Sequence, residues 1–225
     1  MKVAVIHGQA HQGNTYHVTH QLIEQLECKK DEIAEFSVNG LEPCVGCFNC
    51  ILKDENKCPH YEQMAPMIDA IDAADVIIVD SPNYCMGMTG QLKTFFDHLA
   101  YRWFSHRPNG KMNEKIAIAI STTAGGGAKG TTRDIAKQMF WLGIGKRYRI
   151  SEVVGAWSCD QVTIKKQQKI AQDVNKVAVK IKRKVGKVKP GLKTMVAFRL
   201  FKMMQQGMAW NPVDTDYWRM QGWIK

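Results

Sequence analysis

The sequence predicts a three-layer α/β sandwich around a five-stranded parallel sheet. Three short apolar runs, residues 3–6, 76–79 and 116–120, each end in a loop rich in Gly, Ser and Thr that opens a helical stretch. Further strand-like and helix-like segments alternate along the chain, the pattern of β–α–β crossovers. The length, 225 residues at 45% apolar, is enough to bury one sizeable core.

The elements follow in order. A strand is expected over 2–7 and a helix over 14–28, with Leu22, Ile23 and Leu26 on one face. A strand over 32–37 leads into a cysteine-rich loop, 41–58. A helix over 61–73 carries Met64, Met67, Ile68 and Ile71 inward, and a strand over 75–80 follows. Then come a helix over 90–104, a strand over 115–121, a helix over 131–142, a strand over 147–154 and a helix over 160–185. The expected strand order is 2-1-3-4-5, the flavodoxin-like arrangement, with a ligand where strands 1 and 3 part. Gly186, Pro190 and Gly191 mark a break, so residues 1–185 form the domain and 186–225 a helical C-terminal extension.

Charge divides along the same line. Residues 1–159 carry 16 Lys/Arg against 17 Asp/Glu, and residues 160–225 carry 15 against 4, so the net +10 belongs to the last third. That partition argues against a nucleic-acid-binding surface over the domain. No run of 18 apolar residues suggests a membrane span. Seven cysteines without a secretory leader point to a reducing, cytoplasmic setting rather than a disulfide framework.

Parallel sheets bind ligands at the carboxyl ends of their strands. The first loop there, residues 8–15, offers Gln9, His11, Asn14 and Thr15 at a helix start; it is either an anion cradle or an ordinary capped turn. The second, 81–88, holds Pro82, Asn83, Tyr84, Cys85 and Met86. The third, 121–127, holds Thr122, Thr123, Gly125 and Gly126. Its run into Gly130 matches G-x-G-x-x-G, but on the fourth strand, and the acidic partner Glu152 falls inside the fifth. A glycine loop passing close to a flat ring is the better account.

The stretch from Ser81-Pro82-Asn83-Tyr84 to Leu92-Lys93-Thr94-Phe95-Phe96-Asp97 resembles the signature of the flavodoxin-like NAD(P)H-dependent FMN reductases. The resemblance runs over about residues 1–155 and takes in the Thr122–Gly127 loop and Pro43-Cys44-x-Gly46-Cys47. It implies FMN as cofactor, its phosphate on the first loop and its ring framed by the second and third, with Tyr84 beside the ring. It also implies NAD(P)H as electron donor and a small-molecule acceptor, such as a quinone or flavin, or a redox protein. Gln9 and His11 depart from the family's usual Ser and Arg. The hydride step needs no general base, so no catalytic residue is expected.

Cys44, Cys47, Cys50 and Cys58, the last followed by Pro59, are dense enough to ligate iron. They resemble the motif of iron–sulfur flavoproteins, which implies a [4Fe–4S] cluster passing electrons to or from FMN. Zinc, free thiols, or a non-enzymatic cysteine-based redox sensor are the alternatives. His60 is a further potential ligand. His17 and His20 read as surface residues, His98 has no expected catalytic role, and Arg107 either meets a nicotinamide nucleotide phosphate or caps its helix. The Met- and Phe-rich segment 192–210 suits contact between copies in a homodimer or homotetramer, and less well an interfacial membrane helix.

Overall fold

The computed structural model describes residues 1–207 and 211–225. One sheet holds β1 (Val3–His7), β2 (Ile33–Ser37), β3 (Val76–Asp80), β4 (Ile116–Thr123) and β5 (Lys146–Val153). All pairings are parallel and the order is β2-β1-β3-β4-β5, as expected from the sequence. The helices are α1 (Asn14–Leu26), α2 (Asn49–Leu52), α3 (Tyr61–Ala73), α4 (Gly90–His98), α5 (Ala128–Trp141), α6 (Ile164–Lys184), α7 (Leu192–Gly207) and α8 (Pro212–Met220).

The inner strands are apolar almost throughout because helices cover both faces. Alternate residues Ala4, Ile6, Ile77, Val79, Ala117 and Ala119 pack against α3, α4 and α5. Their neighbours Val3, Val5, Val76, Ile78, Ile116 and Ile118 pack against α1 and α6. The register sets His7 beside Ser37 on one side and Asp80 on the other, so the loops after β1 and β3 leave the sheet at one level.

Four helix boundaries differ from expectation, each for a local reason. The helix expected over 14–28 stops at Leu26, where Glu27 turns left-handed at φ 56°. The helix expected over 90–104 stops at His98; a 3-10 turn over Ala100–Arg102 then buries Tyr101 and brings Arg102 to Asp72. α5 begins three residues earlier than expected, straight after left-handed Gly127. A 3-10 turn over Cys159–Gln161 precedes α6.

The segment expected over 192–210 is helical through Gly207, and 208–210 lie outside the described residues. The aromatic tail contains a helix that periodicity did not reveal, although Pro212 at its first turn is a start signal. The extension docks on the domain. Trp218 is fully buried, its indole N–H donating to His106 O at 2.6 Å, with Phe198 and Trp223 packed round it. Tyr217 donates to Pro108 O at 2.8 Å. The outer face of α7 leaves Leu192, Val196, Leu200 and Met203 exposed. Among the described residues, no helix is long and apolar enough to cross a membrane.

Candidate functional site

The three glycine-bearing loops meet at the carboxyl rim of the sheet, around a cavity of about 460 Å³. That lies within the range of small-ligand pockets. From the first loop the walls take Gln9, His11, Gly13, Asn14 and Thr15; from the second, Pro82, Asn83 and Tyr84; from the third, Thr122, Thr123 and Gly125. Ten of the thirteen residues expected to contact a cofactor therefore converge, joined by Gly13, Ala124, Val154, Ala156 and Trp157. Cys85, Met86 and Gly126 are not in the wall. The three residues after β5 were missed because nothing in their pattern is chemical; Trp157, at 88% exposure, was the available signal.

The first loop is held from behind. Gly8 donates to Asp80 O at 2.8 Å, and its carbonyl accepts from Thr89 Oγ1 at 2.5 Å. A Cβ on Gly8 would lie 2.6 Å from Asp80 O, so β1 can approach β3 here only without a side chain. Gln9 folds back to donate to His11 O. α1 then begins at Asn14 with no side-chain cap, and its first-turn amides have no intrahelical partners. Free amides at a helix start are groups that can bind an anion. Thr15 and Thr122 are both buried and share a 2.7 Å hydrogen bond, which ties the first loop to the third.

In the second loop, Tyr84 and Gly87 exchange backbone hydrogen bonds of 3.0 Å. The residues between them, Cys85 and Met86, have φ of 49° and 67°. A two-residue turn with both central φ positive normally takes Asn-Gly or Gly-Gly. Placing Cys and Met there stores strain at the edge of the site. Asn83 spends its amide on the third loop: Nδ2 donates to Gly126 O at 2.8 Å, and Oδ1 accepts from Thr131 Oγ1 at 2.7 Å. It positions loops through its side chain.

Beneath the first loop, His7 Nδ1 lies 2.7 Å from Asp80 Oδ2, and Nε2 lies 2.6 Å from Glu35 Oε1. Burial works against charge on His7, but the hydrogen bonds and charges of Asp80 and Glu35 outweigh it and raise its pKa. Burial likewise opposes ionisation of Glu35, yet His7 and His20 lower its pKa overall. His20 is therefore not an unpartnered surface residue: its Nε2 is 2.8 Å from the same Glu35 oxygen. His17 takes no part in that cluster.

The four clustered cysteines sit on the loop between β2 and α3, Cys44 and Cys47 exposed, Cys50 and Cys58 half-buried. Burial, and then the neighbouring thiols of Cys58, Cys44 and Cys47, push the Cys50 thiol up to about 11. Among the described residues, no three of the four sulfurs lie within 4.8 Å of one another. A closed tetrahedral zinc site would need them about 4 Å apart, given Zn–S bonds of about 2.3 Å. His98 is buried, with Nε2 2.8 Å from Glu42 O. Arg107 does not reach the rim, and it caps not the helix before it but the C-terminal carbonyls of α2. Its guanidinium is buried and donates to Ile51 O at 3.0 Å, to Cys50 O, and to Asp214 Oδ1 at 3.1 Å.

Sheet order, right-sized helices and a loop-built rim at the β1/β3 parting define a flavodoxin-like α/β protein. Its backbone is similar to an FMN-dependent NADH-azoreductase from Bacillus anthracis solved with FMN, at TM-score 0.59 and 12% identity, covering 80% of this chain and 99% of that one. The sequence takes the assignment further: the NADPH-dependent FMN reductase family model matches residues 1–154, and the chain belongs to that family.

Among curated proteins it is 29% identical over 128 residues to an iron–sulfur flavoprotein of Methanocaldococcus jannaschii, covering 56% of this chain and 65% of that one. It is 27% identical over 110 residues to an iron–sulfur flavoprotein of Archaeoglobus fulgidus, covering 47% and 48%. An FMN-dependent NADH:quinone oxidoreductase of Burkholderia lata is 36% identical over 73 residues, covering 30% and 36%. The chain thus spans about half to two thirds of the first two relatives.

Proposed function

We propose that the protein is an oxidoreductase that holds FMN in the rim cavity, takes electrons from NAD(P)H and passes them to a small-molecule acceptor or a redox protein. One observation carries this reading. A Cβ on Gly125, in the cavity wall, would meet no protein atom within 4 Å, and its backbone is not left-handed. The fold does not require glycine there, and its lack of a side chain leaves space for a flat ring to lie against the loop.

The residues fit the group. The first-turn amides of α1, with Asn14 and Thr15, would hold the phosphate, and the uncharged second and third loops would hold the ring. Tyr84, 54% exposed in the cavity wall, would flank the ring. When bound, FMN supplies the hydride and electron chemistry. The chain's own part is to position: Thr15–Thr122 and Asn83–Gly126 fix the three loops relative to one another, and the open mouth leaves room for nicotinamide and acceptor. The exposed stripe on α7 supports contact between copies of the chain.

The test is the visible spectrum of protein incubated with FMN and freed of excess. A bound flavin band that bleaches anaerobically on adding NADPH or NADH is expected; protein that retains no FMN overturns the reading.

A second reading adds a [4Fe–4S] cluster on Cys44, Cys47, Cys50 and Cys58. It is motivated by four thiols on one loop and by the iron–sulfur flavoproteins among the relatives. Iron and acid-labile sulfide in anaerobically purified protein would support it. Their absence after reconstitution with iron and sulfide would dismiss it.

A further inference from the structure

We propose that His7, His20 and Glu35 form a binding site for a first-row divalent cation of the zinc class. It is separate from both the rim cavity and the cysteine loop. The inference does not depend on the flavin reading.

Three elements bring the donors together: His7 ends β1, Glu35 lies on the neighbouring edge strand β2, and His20 lies on α1. His7 Nε2, His20 Nε2 and Glu35 Oε1 all lie within 4.8 Å of one another. Both imidazole nitrogens converge on the one carboxylate oxygen, at 2.6 and 2.8 Å. Two imidazoles and a carboxylate are the ligand set of many zinc and iron(II) sites.

The decisive feature lies behind His7. Its Nδ1 is held at 2.7 Å by Asp80 Oδ2, a carboxylate 2% exposed that also accepts from Thr19 Oγ1 at 2.7 Å. A buried carboxylate on the far nitrogen is the outer partner found behind metal-bound histidines. It fixes the proton on Nδ1 and turns the Nε2 lone pair toward Glu35. Nε2 and Oε1 at 2.6 Å then need positive charge between them. The two contacts to Glu35 are satisfied either by a proton apiece or by a single divalent ion.

The side chains of His20 and Glu35 are about one third exposed, so water can complete the coordination shell and the carboxylate can move outward to admit the ion. On binding, the ion forms bonds to both Nε2 atoms and Oε1, and the protons held in those contacts leave to solvent. No electron changes hands.

The test uses full-length protein stripped with chelator and titrated with Co2+. The expected result is saturable visible absorption from about one equivalent bound through nitrogen and oxygen, with proton release into weak buffer. His20→Ala and Glu35→Gln, both at half-exposed positions that leave the core intact, should each weaken Co2+ by at least about tenfold, the scale on which losing even an outer partner acts. A variant with Cys44, Cys47, Cys50 and Cys58 all changed to Ser should keep the signal. Three results would overturn the proposal: no saturable binding by about 1 mM Co2+, absorption unchanged in His20→Ala, or a thiolate-to-cobalt charge-transfer band that vanishes in the Cys→Ser variant with nothing left behind. The first would show the cluster to be a purely protonic network.

Discussion

Two glycines in the third loop, two positions apart, should respond oppositely to alanine. Gly127 has φ of 99°, and a methyl there would stand 2.7–2.9 Å from the Asn83 amide. The left-handed backbone costs a side-chain-bearing residue about 1–2 kcal/mol. Displacing Asn83 also removes its bonds to Gly126 O at 2.8 Å and Thr131 Oγ1 at 2.7 Å, each worth about 1 kcal/mol net. Gly127→Ala should therefore lose about 3–4 kcal/mol in urea unfolding. Gly125 has neither constraint, so its alanine should be neutral or stabilised by up to about 1 kcal/mol, through a less free unfolded chain. Yet that methyl stands in the cavity wall, and crowding a fitted ligand costs at least about 1.4 kcal/mol, a tenfold loss of affinity. FMN titration followed by quenching of flavin fluorescence measures it. Wild-type FMN affinity in Gly125→Ala would refute the placement of the ring; a cost under about 1 kcal/mol in Gly127→Ala would refute the role given to Asn83.

Thr89→Val removes both the cap on Leu92 N and the donor to Gly8 O; a loss of about 2 kcal/mol in urea is expected, and an unchanged midpoint would contradict it. Met86→Gly should raise the melting temperature by the equivalent of about 1 kcal/mol, since its φ of 67° suits glycine. With the Cys50 thiol pushed up to about 11, brief iodoacetamide treatment at pH 8 should label exposed Cys44 and Cys47 first; peptide mass spectrometry showing Cys50 first would contradict that. Asp214→Asn leaves buried Arg107 with only the longer contact to half-exposed Glu55 at 3.5 Å and should cost about 3 kcal/mol. Faster proteolysis of residues 186–225 is the readout.

The sheet was legible because the inner strands are apolar on both faces and each ends in loop-forming residues, a signal that survives without tertiary information. Helix ends were less legible, since they answer to partners far along the chain: Arg102 meeting Asp72 closes α4 in a way no local pattern records. The rim was found through residues with intrinsic loop chemistry, such as Asn14, Thr15 and Asn83. Trp157 and Val154 were missed because they matter only by arriving beside those loops. The His7–Glu35–His20 cluster was invisible for the same reason: β1 and β2 must pair, and α1 must pack over them, before three scattered residues share one point. Arg107 was misread because its partners, Cys50 and Ile51 on α2 and Asp214 on α8, have no sequence link to it.

That arginine couples two segments far apart in the chain. Its guanidinium joins the carbonyls of Cys50 and Ile51 to a carboxylate on α8, and Asn211 Nδ2 donates to Ile51 O as well, at 3.0 Å. The Cys50–Ile51 end of the thiol-bearing loop thus shares its anchor with α8, so a change that loosens α8 is felt at that end of the loop.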